Sequence, residues 1–187
     1  MVEKANIASK SIMIASQTFE SMCRAARPSR GEAGDIAIAV SDGADVIMVG
    51  EETASGDFPV PVVNCLCKIV IEAEKMLNNK KILNDLILYT PTPISNAESI
   101  AQTVCSSIPN HKNCNLIITI TQTGKIAKLL TKYRPAVKIL AAAPDNILRQ
   151  MTANRGIMGF YHPDIASENA IKYMIEEAKD RKLCKIG

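Results

Sequence analysis

Two apolar runs, residues 12–15 and 46–49, each open at once into side chains that carry hydroxyls, amides and carboxylates. Runs this short, without polar alternation, predict strands buried on both faces. Ser16, Gln17 and Glu20 follow the first run; Glu51, Glu52 and Thr53 follow the second. Between the runs, Ser29 with Glu32 predicts a capping box and Asp42-Gly43 a left-handed stop, which brackets a helix carrying Ile36, Ala39 and Val40. Residues 1–10 read as the tail of a helix that feeds the first strand. Pro59 and Pro61 open a further helix reaching about Leu77. Val63, Leu66, Cys67, Val70 and Ile71 recur along it at helical spacing, and Glu72, Glu74 and Lys75 take the wet side.

The pattern then breaks. Asn78, Asn79, Lys80 and Lys81, and the stretch up to Pro91 and Pro93, read as a connector. The expected division is residues 1–77, a connector over 78–94, and a second domain over 95–187. In that second part Ser95 and Glu98 predict another capping box, ahead of a helix ending near Pro109. A buried strand over 116–120 turns into a helix over 125–133, which Pro135 ends, and a strand over 137–142 follows. Pro144-Asp145 starts a helix with Ile147, Leu148 and Met151, and residues 156–161 make a short strand. A last helix runs from Ile165 or Ser167 to about Arg181, carrying Ala170, Tyr173, Met174 and Ala178.

This alternation is α/β. Strands that deliver polar groups at their carboxyl ends, with a helix between them, are the layout of a (β/α)8 barrel, so the first part is expected to be a segment of one. The second is expected to be an α/β domain with a mainly parallel sheet covered on both faces. A start just before a buried strand, and a stop at residues 182–187 where another strand would begin, are what a fragment would show.

Composition narrows the function. At 47% hydrophobic residues the 187-residue chain has ample core and is not disordered. A net charge of +3 without a Lys/Arg block, 4% aromatics and no Trp argue against nucleic-acid binding. The six cysteines show no two-residue spacer, and with only two histidines an all-protein zinc site is not expected; a reducing cytoplasm is. No apolar run approaches the ~20 residues a membrane span needs, and the N-terminus lacks a signal-peptide plan.

Three groups of residues are candidates for chemistry. Ser16, with no nearby His, is no hydrolase nucleophile; at a barrel rim its hydroxyl reads as a hydrogen-bond donor or proton-relay member. Adjacent Glu51 and Glu52 cannot both point to one site from a strand end. Thr121, Gln122, Thr123, Gly124 and Lys125 end a strand and open a helix, an arrangement that offers backbone amides and a positive dipole end to an anion. Lys125, Lys128 and Lys132 then repeat at helical spacing, as a phosphate-attracting stripe or as a solvated face. Arg24, Arg27 and Arg30 clamp an anion, meet a neighbouring subunit, or only solubilise the surface.

The chain resembles pyruvate kinase from end to end. KANIASKSIMIASQTFESM is similar to the family's run through the seventh barrel strand, and ARPSRGEAGDIAIAVSDGADVIMVGEETASGDFP to its seventh helix, eighth strand and following loop. The turn at Thr121 to Gly124, the Tyr133-Arg134-Pro135 triplet and Asn154-Arg155-Gly156 resemble the family's C-terminal domain. The resemblance implies barrel units seven and eight plus most of the C-terminal domain. It also implies phosphoryl transfer from phosphoenolpyruvate to ADP, giving pyruvate and ATP in glycolysis, with Mg²⁺ and K⁺, in a cytoplasmic, allosteric tetramer. Ser16 falls where the family has a catalytic Thr hydroxyl; with Gln17 and Glu52 it is expected to bind substrate, and residues 121–125 to bind a sugar-phosphate effector.

Departures from the family pattern accompany these expectations. The lysine that faces the phosphoryl group and the acidic pair that holds Mg²⁺ lie upstream of the matched region, so no metal ligand is expected here and the chain alone is expected to be inactive. Gly50-Glu51 replaces Ser-Gly, Ser16 replaces Thr, Thr18 replaces Met, and Gln122 and Ile126 stand where activatable members carry a Lys and a hydroxyl. Two alternatives follow: a non-catalytic regulatory or assembly module, and a degenerate inactive paralogue.

Overall fold

The computed structural model describes residues 1–15, 17–111, 113–161, 167 and 169–184. It divides into two compact units, Met1–Asn6 with Lys10–Asn78, and Ile7–Ser9 with Asn79–Gly187. After helix α1 (Val2–Ile7), the first unit holds strands β1 (Met13–Ile14) and β2 (Val46–Ile47), paired in parallel with Met13 opposite Val46. Both are shorter than expected. They are also not buried on both faces: Met13 of β1 is 51% exposed, and Val46 and Ile47 of β2 are half-buried. The reason is topological: among the described residues each strand has only the other as neighbour.

Helix α2 (Arg30–Asp42) joins them with both predicted ends in place. Ser29 accepts the Glu32 amide, the Glu32 carboxylate takes the Ser29 amide, and Gly43 closes the helix at φ 99°. The left-handed backbone favours glycine there, and a Cβ would also stand 2.5 Å from Asn6 Nδ2, so that side chain would have to move.

Helix α3 (Glu51–Ala54) follows β2, then α4 (Pro59–Lys75) with proline in its first turn. Its inward face is Val62, Cys65, Leu66, Ile69 and Val70, packed on Phe19, Met22 and Ile36. Val63, Cys67 and Ile71 point outward, so the expected face is off by one residue at these positions. Both stripes repeat with helical period, and what decides between them is the anchor of buried Phe19 and Met22, which lie outside α4.

The second unit begins with a correction. The stretch expected as a connector is largely helix α5 (Asn79–Tyr89), whose Leu83 and Leu86 are buried with Ala101 and Cys105 of α6 (Asn96–Ser107). An unpromising Asn-Lys start is outweighed by leucines at a three-residue spacing that find a core.

Strands β3 (Leu116–Ile120), β4 (Lys138–Ala142) and β5 (Ile157–Phe160) form a parallel sheet in that order. Helices α7 (Lys125–Lys132), α8 (Asp145–Met151) and α9 (Ala170–Asp180) complete the unit. Alternation along β4 separates the two faces. Ile139 and Ala141 pack toward α7 and α8, whereas Leu140 and Ala142 pack against Met174 and Ala178 of α9. Both faces are covered, as a parallel sheet requires. Ser167 stands before α9 in a bend, and the Ile165 start lies outside the described residues.

Candidate functional site

Because β1 and β2 run parallel, the polar residues after each emerge at one edge of the first unit. Two side chains tie the emerging loops together. Thr18, buried, donates its hydroxyl to the Met48 carbonyl at 2.7 Å. Glu52 is 5% exposed; its Oε1 accepts the Phe19 amide at 3.2 Å and its Oε2 the Gly50 amide at 3.0 Å. Glu51, next in sequence, is exposed, so the two glutamates do face different ways. Gln17 is exposed with φ 52°, and Ser16 lies outside the described residues.

Behind this rim, Ser21 donates both its amide (2.8 Å) and its hydroxyl to Glu32, which also takes the Ser29 amide at 2.7 Å. Partial burial pushes the Glu32 carboxyl up, but the bonds from Ser21 and Ser29 outweigh it and hold the group at about 2. The Cys23 thiol is raised by burial and then by the negative charges of Glu51, Glu52 and Glu20, against the opposing pull of Arg24. Such a thiol is no activated nucleophile. Arg24, Arg27 and Arg30 are all exposed.

In the second unit the residues from Thr121 to Lys125 form the expected turn. Gly124 caps α7 at φ 75°, where a Cβ would press on Ile147 and Met151 at 3.1 Å. Its amide is taken by the buried Thr121 hydroxyl at 3.0 Å, and Thr123 Oγ1 takes the Lys125 amide at 3.5 Å. Two amides that the sequence offered to an anion are thus met from within the turn. Gln122, Thr123 and Lys125 remain exposed.

The lysine stripe does not survive as a stripe. Lys125 is exposed and Lys128 half-buried, but Lys132 is buried and ion-paired with Glu98. Glu98 consequently completes only half of the expected capping box: Ser95 Oγ accepts its amide at 3.2 Å, while its carboxylate turns to Lys132. Burial raises the Cys105 thiol to about 12, which marks it as a core residue. The bracing roles of Thr18 and Ser21 were not foreseen; the only signal was that each is a hydroxyl-bearing residue beside a predicted strand or helix end.

Among the described residues no three His, Cys, Asp or Glu side chains gather to hold a metal ion, and no helix is long and apolar enough to cross a membrane.

Comparison with known proteins decides the family. The model for the pyruvate kinase barrel domain matches residues 1–63, and that for the pyruvate kinase alpha/beta domain matches residues 98–187. The chain belongs to the pyruvate kinase family. Pyruvate kinase of Eimeria tenella is 35% identical over all of this chain and 35% of its own length. The cytosolic isozyme of Solanum tuberosum is 42% identical over 75% of this chain and 28% of its own. A crystal structure of a Cryptosporidium parvum pyruvate kinase superposes on the whole chain with a TM-score of 0.96 at 34% identity, over 38% of that protein, and a second is in complex with ADP. The chain therefore spans well under half the length of these pyruvate kinases. In their frame the β1 and β2 units are a segment of the barrel, and the three-stranded sheet belongs to the alpha/beta domain.

Proposed function

We propose that this chain is the part of a pyruvate kinase that supplies one flank of the substrate pocket and the alpha/beta domain, in an enzyme transferring the phosphoryl group of phosphoenolpyruvate to ADP. The observation that carries the reading is likeness over the whole chain, TM-score 0.96 at 34% identity, with both family domains matched in order.

In that reaction the bond between phosphorus and the enol oxygen breaks, a bond to the terminal phosphate oxygen of ADP forms, and the enolate takes a proton at carbon to give pyruvate. Such transfer depends on positioning and on cations that neutralise moving charge. Mg²⁺ and K⁺ are implied by the family, but the described residues offer no ligand cluster, so no step is assigned to metal held by this chain. What the chain contributes is the rim: the Ser16 hydroxyl, which joins proton delivery to the enolate, and Gln17 beside it. The chain alone does not turn over. In the second unit, the exposed groups of Gln122, Thr123 and Lys125 receive a sugar phosphate. A cytoplasmic location is supported by the cytosolic naming of the Solanum tuberosum relative, and a tetrameric parent by the family resemblance.

The test is a chimera in which this chain replaces the matching segment of the Cryptosporidium parvum enzyme. Ser16→Ala in it should lower kcat by about a hundredfold, the scale of a lost general-acid group, with little change in KM. An unchanged kcat would remove Ser16 from the mechanism.

A further inference from the structure

We infer that Glu52 is a positioning residue: its buried carboxylate sets the spacing of the two rim loops and acts on substrate only through them. The identity of the site as a phosphoenolpyruvate pocket rests on the proposed function; the brace itself does not.

Three observations converge. First, two backbone N–H groups from different loops, Phe19 after β1 and Gly50 after β2, point at opposite oxygens of one carboxylate. A carboxylate is acceptor-only at both oxygens, so it suits two donors, whereas the amide of Gln would turn an NH₂ against one of them. Bonds of N–H to an ionised acceptor are also the stronger kind.

Second, at 5% exposure the group is nearly out of water, so parting the loops would strand a buried charge and two amides. Third, the backbone of Glu52 is as fixed as its side chain. A Cβ on Gly56 would come within 2.6 Å of the Glu52 carbonyl and 3.1 Å of Cys23 Cα, and the Asp57 amide bonds the Cys23 carbonyl at 2.9 Å. The loop after α3 therefore closes directly on it.

The Thr18 hydroxyl adds a parallel tie at 2.7 Å to Met48, and fully buried Phe19 anchors the first loop in the core. Ser16 and Gln17 are the two residues immediately before this double tie. The placement of Gln17 relative to Gly50 and Glu51 is thus set by Glu52, which is the kind of support that a pre-organised site needs.

The experiment follows amide resonances in the ¹⁵N-labelled 187-residue chain. Phe19 and Gly50 amide protons should lie downfield and exchange slowly. Glu52→Gln should release one of them, with exchange at least tenfold faster and a shift at Gln17, while Leu130 and Ile139 of the second unit stay as they were. Glu51→Gln should move none of these. If Glu52→Gln does not fold, Glu52→Asp, one methylene shorter, should keep only one of the two downfield signals. Unchanged Phe19 and Gly50 signals in the substituted chain, or equal disturbance by Glu51→Gln, would overturn the inference. Ser16→Ala in the chimera described above reads the other question: an unchanged kcat would count against the proposed function, with the Glu52 result still decided by the two amides.

Discussion

Lys132 Nζ lies 2.5 Å from Glu98 Oε1, in an ion pair whose lysine side chain is 3% exposed and whose glutamate is 17% exposed. The Tyr133 hydroxyl donates to the same oxygen at 3.3 Å, and the ammonium stands 5.4 Å from the Tyr133 ring centre. Burial, and then the Glu98 charge, raise the tyrosine to about 12. The pair pins the end of α7 to the start of α6.

Removing one partner leaves the other uncompensated. Lys132→Met should destabilise the chain by about 3 kcal/mol, the lower end for a broken buried pair. The double substitution Lys132→Met with Glu98→Gln should recover part of that loss. Urea midpoints of the two single variants and the double one form the cycle, and strict additivity would refute a coupled pair.

Gly43→Ala should cost roughly 1–2 kcal/mol for the left-handed backbone, and more from its clash with the Asn6 amide. Thermal unfolding checks this. A neutral Gly43→Ala would mean that the helix end relaxes without loss.

The acid limb of stability should depend on Glu32. Its folded value of about 2 is below the ordinary 4.5, so it binds protons more weakly folded than unfolded. Its contribution is complete above 4.5 and is lost as the pH falls toward 2. Melting curves of the chain and of Glu32→Gln should therefore diverge above pH 4.5 and converge near pH 2. Parallel curves across that range would remove the ionised acceptor from the account.

Cys23 should react slowly with iodoacetamide at pH 8, more slowly than exposed Cys67. Glu51→Gln should speed the reaction by removing one of the charges that raise the thiol. Mass-spectrometric labelling rates decide it, and a Cys23 that outpaces Cys67 would contradict the electrostatics.

Much of the fold was legible because local signals and tertiary packing agree. Ser29 with Glu32, and Gly43 after Asp42, mark ends that depend only on backbone groups within a few residues. Strand β4 was legible because its apolar run is buried on both faces. The misses share one cause: two local readings fitted equally well and a distant partner chose between them. On α4, Phe19 and Met22 select the face with Val62 rather than Val63. At α6, Lys132 draws Glu98 away from its cap. In the connector, the core formed by Ala101 and Cys105 takes up Leu83 and Leu86 and makes a helix of a stretch that read as a link. The rim shows the same limit. Spacing placed Gln17 and Glu52 at strand ends, but only the bonds to Phe19 and Gly50 give Glu52 its bracing part.

The most direct measurement is ATP formation from phosphoenolpyruvate and ADP, with Mg²⁺ and K⁺, by two purified proteins: the 187-residue chain alone and the chimera carrying it in place of the matching segment of the Cryptosporidium parvum enzyme. The account predicts turnover by the chimera and none above blank by the chain. ATP made by the chain alone, or a folded chimera that makes none, would contradict it.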